Sequence, residues 1–386
     1  MKTLPPMNSS IQLMLARLQK RHEENAFRSL KVTDGLADFC SNDYLGLSRS
    51  TLLNLVIKTT ISCNTLSVLG STGSRLLTGN SGYAEQLERD IAIYHEADSG
   101  LIFNSGYDAN LSLFSSLPRK GDTILMDEYI HASIIDGARL SFAHRMKFRH
   151  NDLEDLEKKL KRAKGICYVA IESVYSMDGD ISDILGIGQL CAQYGANLIV
   201  DEAHAFGVLG MGLVCEMEAC HLVFARVVTF SKALGLHGGI VLGPKPLKDY
   251  LVNFARPFIY STALSLHSLV SIRLAYDHLL ENMDLVAQLA EKSILWVQHM
   301  PAQSMLESTQ NPTAIQCVFV NDNSKAIAYS RYLQERGFDV RPILSPTVPK
   351  GTERLRISLH IHNTDREIRN LCRVFHQLVN DLSPAQ

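Results

Sequence analysis

Residues 196–204 read ANLIVDEAH, an apolar run that stops abruptly at two carboxylates and a histidine. A run this short and this apolar on both faces has the texture of a strand covered on two sides. The same texture recurs along the chain at Gly100 to Phe103, Thr123 to Met126, Ile166 to Ile171, Arg226 to Thr229 and Gly239 to Leu242. Amphipathic helices separate these runs. In one of them Leu153, Leu156 and Leu160 form a stripe beside the i,i+4 pairs Glu154/Lys158 and Glu157/Lys161. Doubly covered strands alternating with helices predict an α/β unit with a mostly parallel central sheet.

Outside this region the patterning changes. Ile11, Met14, Leu15 and Leu18 follow helical spacing behind Ser9 and Ser10 as caps, and an extended piece follows at Ala37 to Cys40. Near the other end, Leu355, Ile357, Leu359 and Ile361 alternate with Arg354, Arg356, Ser358 and His360. That period of two predicts an antiparallel strand with one face in water. A helix is expected from about Ser324 to Gly337. A last helix is expected to open on the capping box Thr364 to Glu367 and to bury Ile368, Cys372, Phe375 and Val379. The expected division is an N-terminal helix and extended segment (1–45), the helix packed near a small C-terminal α+β domain (276–386), with a large domain (46–275) between them.

At 386 residues the chain is long enough for two packed domains. Its net charge of -2 gives no pull towards nucleic acid or an anionic membrane. No apolar run reaches the roughly 18 residues of a membrane span. Met1 to Ser10 lacks the basic cluster and apolar core of a signal peptide, so a cytoplasmic protein is expected. The eight cysteines include no C-x-x-C pair. They read as thiols in a reducing compartment, with neither disulfide framework nor metal centre. The glycosylation matches at Asn8 and Asn110 are therefore idle.

In open α/β sheets, ligands bind beyond the carboxyl ends of the strands. Those ends deliver Asn104-Ser105-Gly106-Tyr107, then Asp127 to His131, then Glu172 with Ser176 to Asp180, then Asp201 to His204, and finally Thr229 to Lys232. This set has the parts a pyridoxal phosphate site needs. Asp201 can pair with the pyridine nitrogen, His131 can lie against the ring, and Lys232 can bond the aldehyde carbon. Gly106 and Tyr107 at a helix start, with the Thr229 hydroxyl, can take the phosphate. The D-E-A-H letters also occur in nucleotide hydrolases, but no G-x-x-x-x-G-K-[ST] accompanies them here.

Order and spacing carry the reading further. SNDYLGLS (41–48), GSTGSRLLTGNS (70–81), SGYDAN (105–110), HASIIDGAR (131–139) and ESVYSMDGD (172–180) are followed by four more such stretches. These are VDEAHAFGVLG (200–210), TFSKALGLHGG (229–239), FARPFIYST (254–262) and RPILSPTVPKGTERLRISL (341–359). Together they resemble the α-oxoamine synthase family of fold-type-I pyridoxal-phosphate transferases, over about residues 10 to 380. The resemblance implies that Lys232 carries the cofactor as a Schiff base and that Asp201 partners the pyridine nitrogen. It implies that His204 bonds the ring hydroxyl, that His131 stacks on the ring, and that Ser176 and Thr229 contact the cofactor. Thr262 matches a hydroxyl that reaches a neighbouring subunit's phosphate, which implies a homodimer. Arg356 matches the arginine that clamps the amino-acid carboxylate, a task suited to its fork of donors.

Residues 346–356 and 254–262 most resemble the biotin-pathway branch of that family, which joins a pimeloyl thioester to L-alanine with loss of carbon dioxide. The acyl carrier is coenzyme A or an acyl carrier protein. Arg28 and Thr347 fall at acyl-substrate positions of that branch, with Arg21 the competitor for Arg28 across an alignment gap. Sister branches using glycine or serine are the alternatives, as 2-amino-3-ketobutyrate ligase and serine palmitoyltransferase do.

Overall fold

The structure, a computed structural model, describes residues 8–32, 35–63, 70–300 and 307–382. Twelve strands are present among them: β1 (Ala37–Asp38), β2 (Ser99–Phe103), β3 (Thr123–Asp127), β4 (His144–Phe148), β5 (Cys167–Glu172), β6 (Asn197–Asp201), β7 (Ala225–Thr229), β8 (Gly239–Gly243), β9 (Ile315–Phe319), β10 (Phe338–Asp339), β11 (Arg341–Ile343) and β12 (Arg354–Ser358). Seven form the central sheet in the order β2-β8-β7-β6-β5-β3-β4. Only β8 runs antiparallel to its neighbours β7 and β2. Six of the seven coincide with the predicted runs. The seventh, β4, has the polar sequence HRMKF because it is an edge strand with three exposed side chains.

The apolar runs are continuous because both faces of the sheet are covered. Leu125, Val169, Ile171, Leu198 and Val200 join one core with Leu87, Phe206, Phe230 and Tyr276. Ile124, Met126, Tyr168, Ala170 and Ile199 point the other way, into a core with Leu113, Phe114, Ile134 and Leu251. Side-chain alternation thus divides each strand between two hydrophobic layers. The helix Leu153–Leu160 forms as expected, with Lys161 Nζ 2.9 Å from Glu157 and Lys158 3.6 Å from Glu154.

A third core gathers Phe39, Trp296, Phe338, Leu355, Ile357, Leu371 and Phe375 under a smaller antiparallel sheet in the order β11-β12-β9. The β1 strand pairs parallel with β10, tying the N-terminal segment to this unit. The helices Asn323–Gln334 and Asp365–Leu382 cover it. The capping box is formed: Glu367 N–H donates to Thr364 Oγ1 at 3.2 Å, and Thr364 N–H donates to Glu367 at 2.7 Å. Ile368, Cys372 and Phe375 are buried; the Val379 side chain lies outside the described residues.

Two expectations are corrected. The polar face of β12 is not in water. Arg354 and Ser358 are buried, and so is His360 just beyond the strand. Arg354 Nη1 donates to the Asp178 carboxylate, and Arg356 Nε donates to Ser176 O at 2.7 Å. The alternation is real, but the second face meets the loop after β5 instead of solvent. The N-terminal helix, Ser9–Glu23, is capped by Asn8, which accepts from Ser10 N–H, and buries none of its residues. Ile11, Met14, Leu15 and Leu18 are 44–54% exposed. Only the end of this helix meets the smaller unit, where Asn25 donates to Ser324 and Asn323 donates to Glu24 O. Its apolar stripe therefore finds no cover within the described residues. No described helix is long and apolar enough to cross a membrane.

Candidate active site

The carboxyl ends of β3, β5, β6 and β7 open on one cleft, as the strand order requires. Asp201 is the last residue of β6 and is 5% exposed. Its neighbour across the ladder is Glu172, the last residue of β5. Two carboxylates side by side in a buried place cannot both ionise cheaply. Burial and then the charge of Asp201 push Glu172 well above its ordinary value, so Glu172 holds a proton. Asp201 accepts two hydrogen bonds. Asn110 Nδ2 donates to its Oδ2 at 2.6 Å, and Ala203 N–H donates to its Oδ1 at 2.9 Å. Asn110 is 2% exposed on the helix Gly106–Ser116, which accounts for its idle glycosylation match.

Lys232 follows β7 in a short turn. Desolvation draws its ammonium down to about 8, against the opposing pull of Asp201. Such an amine is available in neutral form near physiological pH, as a nucleophile that must bond a carbonyl carbon requires. Thr229 Oγ1 sits 3.0 Å from Ser231 Oγ. The chain comes close here: a Cβ on Gly106 would lie 3.2 Å from Thr229 Cβ and Oγ1. Gly106 and Tyr107 open their helix, where backbone N–H groups have no intrahelical acceptor and attract an anion.

His131 stands at the mouth of the cleft and caps the helix Ala132–Leu140. Ser133 N–H donates to its Nδ1 at 3.3 Å, so the proton of the neutral ring belongs on Nε2. Desolvation holds the ring below its ordinary value, with Lys232 adding to this and Asp201 opposing it. Tyr107 meets this ring edge-on at 6.2 Å and anchors its own hydroxyl on Asp136 at 2.5 Å.

His204 is buried and held well below its ordinary value by desolvation and by the charges of Lys232 and Arg356. Its Nδ1 lies 2.8 Å from the Tyr44 hydroxyl. That hydroxyl accepts from Arg356 Nη2 at 3.2 Å and donates to Asn42 Oδ1 at 3.2 Å. Arg356 Nη2 also donates to Asn42 Oδ1 at 3.0 Å, and Nη1 to Ser358 Oγ at 3.2 Å. Ser176 is buried beside Glu172, to which its N–H donates at 3.3 Å.

A cavity of about 760 Å³ runs from His131 between residues 128–135, 175–178 and 345–350. Thr347 lines it, and Arg28 Nη2 donates to Thr347 Oγ1 at 2.9 Å across 319 residues of sequence. Arg21 lies in the last turn of the N-terminal helix. Thr262 does not join the cleft. It is exposed on the surface, and its carbonyl accepts from Asn104 Nδ2 at 2.9 Å. Sequence reasoning missed Asn42, Tyr44 and Asn110, since nothing local ties them to partners some 90 to 310 residues away.

The donor set fits pyridoxal phosphate: one supported carboxylate, a neutral histidine with its proton on Nε2, an amine of lowered pKa, and a helix start for the phosphate. Residues 34–375 match the family described as aminotransferase class I and II. The chain is 40% identical over 385 residues to an 8-amino-7-oxononanoate synthase of Emericella nidulans, covering 92% of each chain. Its structure is similar to a serine palmitoyltransferase of Sphingomonas wittichii, with TM-score 0.88, 27% identity, and coverage of 98% of this chain and 99% of that one. It is also similar to an 8-amino-7-oxononanoate synthase of Francisella tularensis, with TM-score 0.77, 28% identity, and coverage of 90% and 99%. The chain belongs to the class I and II aminotransferase family and, within it, to the pyridoxal-phosphate-dependent α-oxoamine synthases.

Proposed function

We propose that this enzyme condenses a pimeloyl thioester with L-alanine, releasing carbon dioxide and the carrier thiol and giving 8-amino-7-oxononanoate for biotin synthesis. The observation that carries this reading is the Arg28–Thr347 pair, whose Thr347 lines the same cavity as His131 and Ser176. A guanidinium and a hydroxyl there suit the distal carboxylate that sets pimeloyl apart from ordinary fatty acyl groups. The identity to 8-amino-7-oxononanoate synthases supports the same branch.

The roles follow from the site. Arg356 binds the alanine carboxylate through guanidinium edges oriented by Asn42, Tyr44 and Ser176. When bound, pyridoxal phosphate supplies an electron sink for the α-carbon. Asp201, beside neutral Glu172, keeps a proton on the pyridine nitrogen, and His204 bonds the ring hydroxyl. Lys232 is the covalent anchor and then the neutral amine that takes the α-hydrogen. His131 donates from Nε2 to the carbonyl oxygen of the incoming acyl group. Gly106, Tyr107, Ser176 and Thr229 hold the cofactor.

Thr262 is assigned to the phosphate site of a second copy, in a homodimer. Its exposure, together with the uncovered stripe of the N-terminal helix, supports that assembly. The free cysteines among the described residues are consistent with a cytoplasmic location.

The test is competition between thioesters and amino acids, read by mass spectrometry of the products. Pimeloyl thioester with alanine is expected to exceed palmitoyl thioester with serine, and acetyl thioester with glycine, by at least about 100-fold in kcat/KM. The likeness to serine palmitoyltransferase makes the palmitoyl–serine pair the second reading. Preference for that pair would overturn the branch and leave the cofactor site intact.

A further inference from the structure

Just past β4, His150 is held at both ring nitrogens. Its Nδ1 lies 2.9 and 3.1 Å from the two oxygens of Asp127, and its Nε2 lies 2.5 Å from Asp180. Two nitrogens that each face a carboxylate both carry hydrogen, so the ring is an imidazolium. Desolvation opposes that charge, but the two carboxylates outweigh it and raise the ring to about 10. Tyr129 stacks on it at 4.6 Å, and Tyr175 meets it at right angles at 4.5 Å. The neighbouring backbone and side chain reinforce the grip. His150 N–H donates to Glu128 at 3.0 Å, Asn151 N–H to Asp127 at 3.2 Å, and Asn151 Nδ2 to Asp180 at 3.1 Å and to Ile181 O at 3.2 Å. Lys147 Nζ is turned to Glu128 O, and Arg354 is paired with Asp178.

What the ring joins gives it meaning. Asp127 ends β3 and starts the stretch that reaches His131, with Tyr129 N–H donating to Asp127 at 2.9 Å. Asp180 closes the loop after β5 that carries Ser176, Met177 and Asp178. That loop is pressed on β9 at Gly179, where φ is +74° and a Cβ would sit 2.3 Å from Ile315 O. Residues 128–131 and 175–178 are two walls of the 760 Å³ cavity. His150 lines neither wall. It bridges the segments behind them.

We propose that His150 is a positioning residue for the acyl half of the reaction, a charged crosspiece that sets the distance between the two walls receiving the thioester. The inference rests on the preceding reading only for the identity of that thioester. Arg356 takes one support, Ser176 O, from the same loop but two others, Asn42 and Tyr44, from outside it, so binding of the amino acid depends less on the crosspiece.

The experiment uses the holoenzyme and two variants, His150→Gln and Asp180→Asn. Each is measured for thioester KM, and for exchange of the alanine α-hydrogen with solvent deuterium in the absence of thioester. The expected result at pH 8 is a KM raised at least about 10-fold with exchange altered less than about threefold. In parallel, 15N spectra of the histidine rings should show His150 protonated on both nitrogens at pH 8. Equal losses in exchange and in thioester use, an unchanged KM, or a neutral His150 ring would each overturn the proposal. If His150→Gln does not fold, Asp180→Asn and the ring spectrum decide it. Whichever thioester proves to be the substrate is used for the KM, so a failed crosspiece is distinguishable from a mistaken acyl donor.

Discussion

Tyr44 and His204 meet at 2.8 Å, hydroxyl to Nδ1, and the same hydroxyl accepts from Arg356. One phenol therefore links Arg356, proposed to take the substrate carboxylate, to His204, proposed to face the cofactor. Tyr44→Phe removes the link while preserving the ring, which is fully buried. The expected outcome is alanine exchange slowed about 10-fold or more and weaker alanine binding, consistent with one to two lost hydrogen bonds to charged or buried partners. Titration of the holoenzyme spectrum with alanine measures the second effect.

Lys232 should identify itself by label and by pH. Borohydride treatment is expected to fix the cofactor to the peptide containing Lys232, and Lys232→Ala should lose both label and turnover. With its amine drawn down to about 8, covalent uptake of pyridoxal phosphate by the apoenzyme should accelerate through pH 7 to 9. A midpoint above pH 10 in stopped-flow absorbance would contradict the lowered value.

If the Asp201 carboxylate keeps the electron sink protonated, as proposed, Asp201→Asn should fold yet slow alanine α-hydrogen exchange by at least about 100-fold. Asn110→Ala, which removes the 2.6 Å donor, should fall between that variant and wild type. Deuterium incorporation followed by proton NMR separates the three. If Asn110→Ala is slower than Asp201→Asn, the support runs through another group.

Arg28→Ala is expected to raise the KM for pimeloyl thioester at least about 10-fold, as loss of a charged hydrogen bond worth roughly 1.5–3 kcal/mol implies. Alanine exchange should be nearly unchanged, since the proposed reading gives the alanine carboxylate to Arg356. If Arg28→Ala retains pimeloyl use and Arg21→Ala does not, the two arginines exchange roles.

The raised value of His150 has a consequence for stability, and its sign is defined. A histidine at about 10 in the folded state and near 6.5 unfolded contributes fully below pH 6.5, and the contribution is lost as pH climbs towards 10. The melting temperatures of wild type and His150→Gln should therefore converge between pH 7 and pH 10. The limiting slope of a single proton is about 1.4 kcal/mol per pH unit. A constant gap across that range would show that the ring is uncharged.

Much of this was legible in the sequence, for a physical reason. The runs at 100–103, 123–126 and 196–200 advertise themselves because both faces of the central sheet are buried. The residues that follow them reach one edge because the strands carrying them are parallel. HRMKF did not read as a strand because an edge strand buries little. The polar residues of β12 were misassigned to water because alternation reveals only that two faces differ, and protein can lie on the polar one. Asn110 and His150 were not read because each acts on a carboxylate that is far away in sequence. Arg28 and Thr347 were named through resemblance, and only folding brings them within 2.9 Å.

The attachment of β12 to the loop after β5 also bears on how such enzymes can be recombined. Arg354 and Arg356 belong to the smaller sheet, yet their acceptors, Asp178 and Ser176 O, belong to the larger unit. A chimera cut between the two units would separate a nearly buried guanidinium from its carboxylate, a loss of about 3–5 kcal/mol where no substitute is supplied. It would also detach the Arg356 guanidinium from one of its supports, Ser176 O. The heritable module is therefore discontinuous. Residues 173–181 should travel with 341–359, and grafts that respect this seam should keep their activity where grafts at the apparent boundary do not.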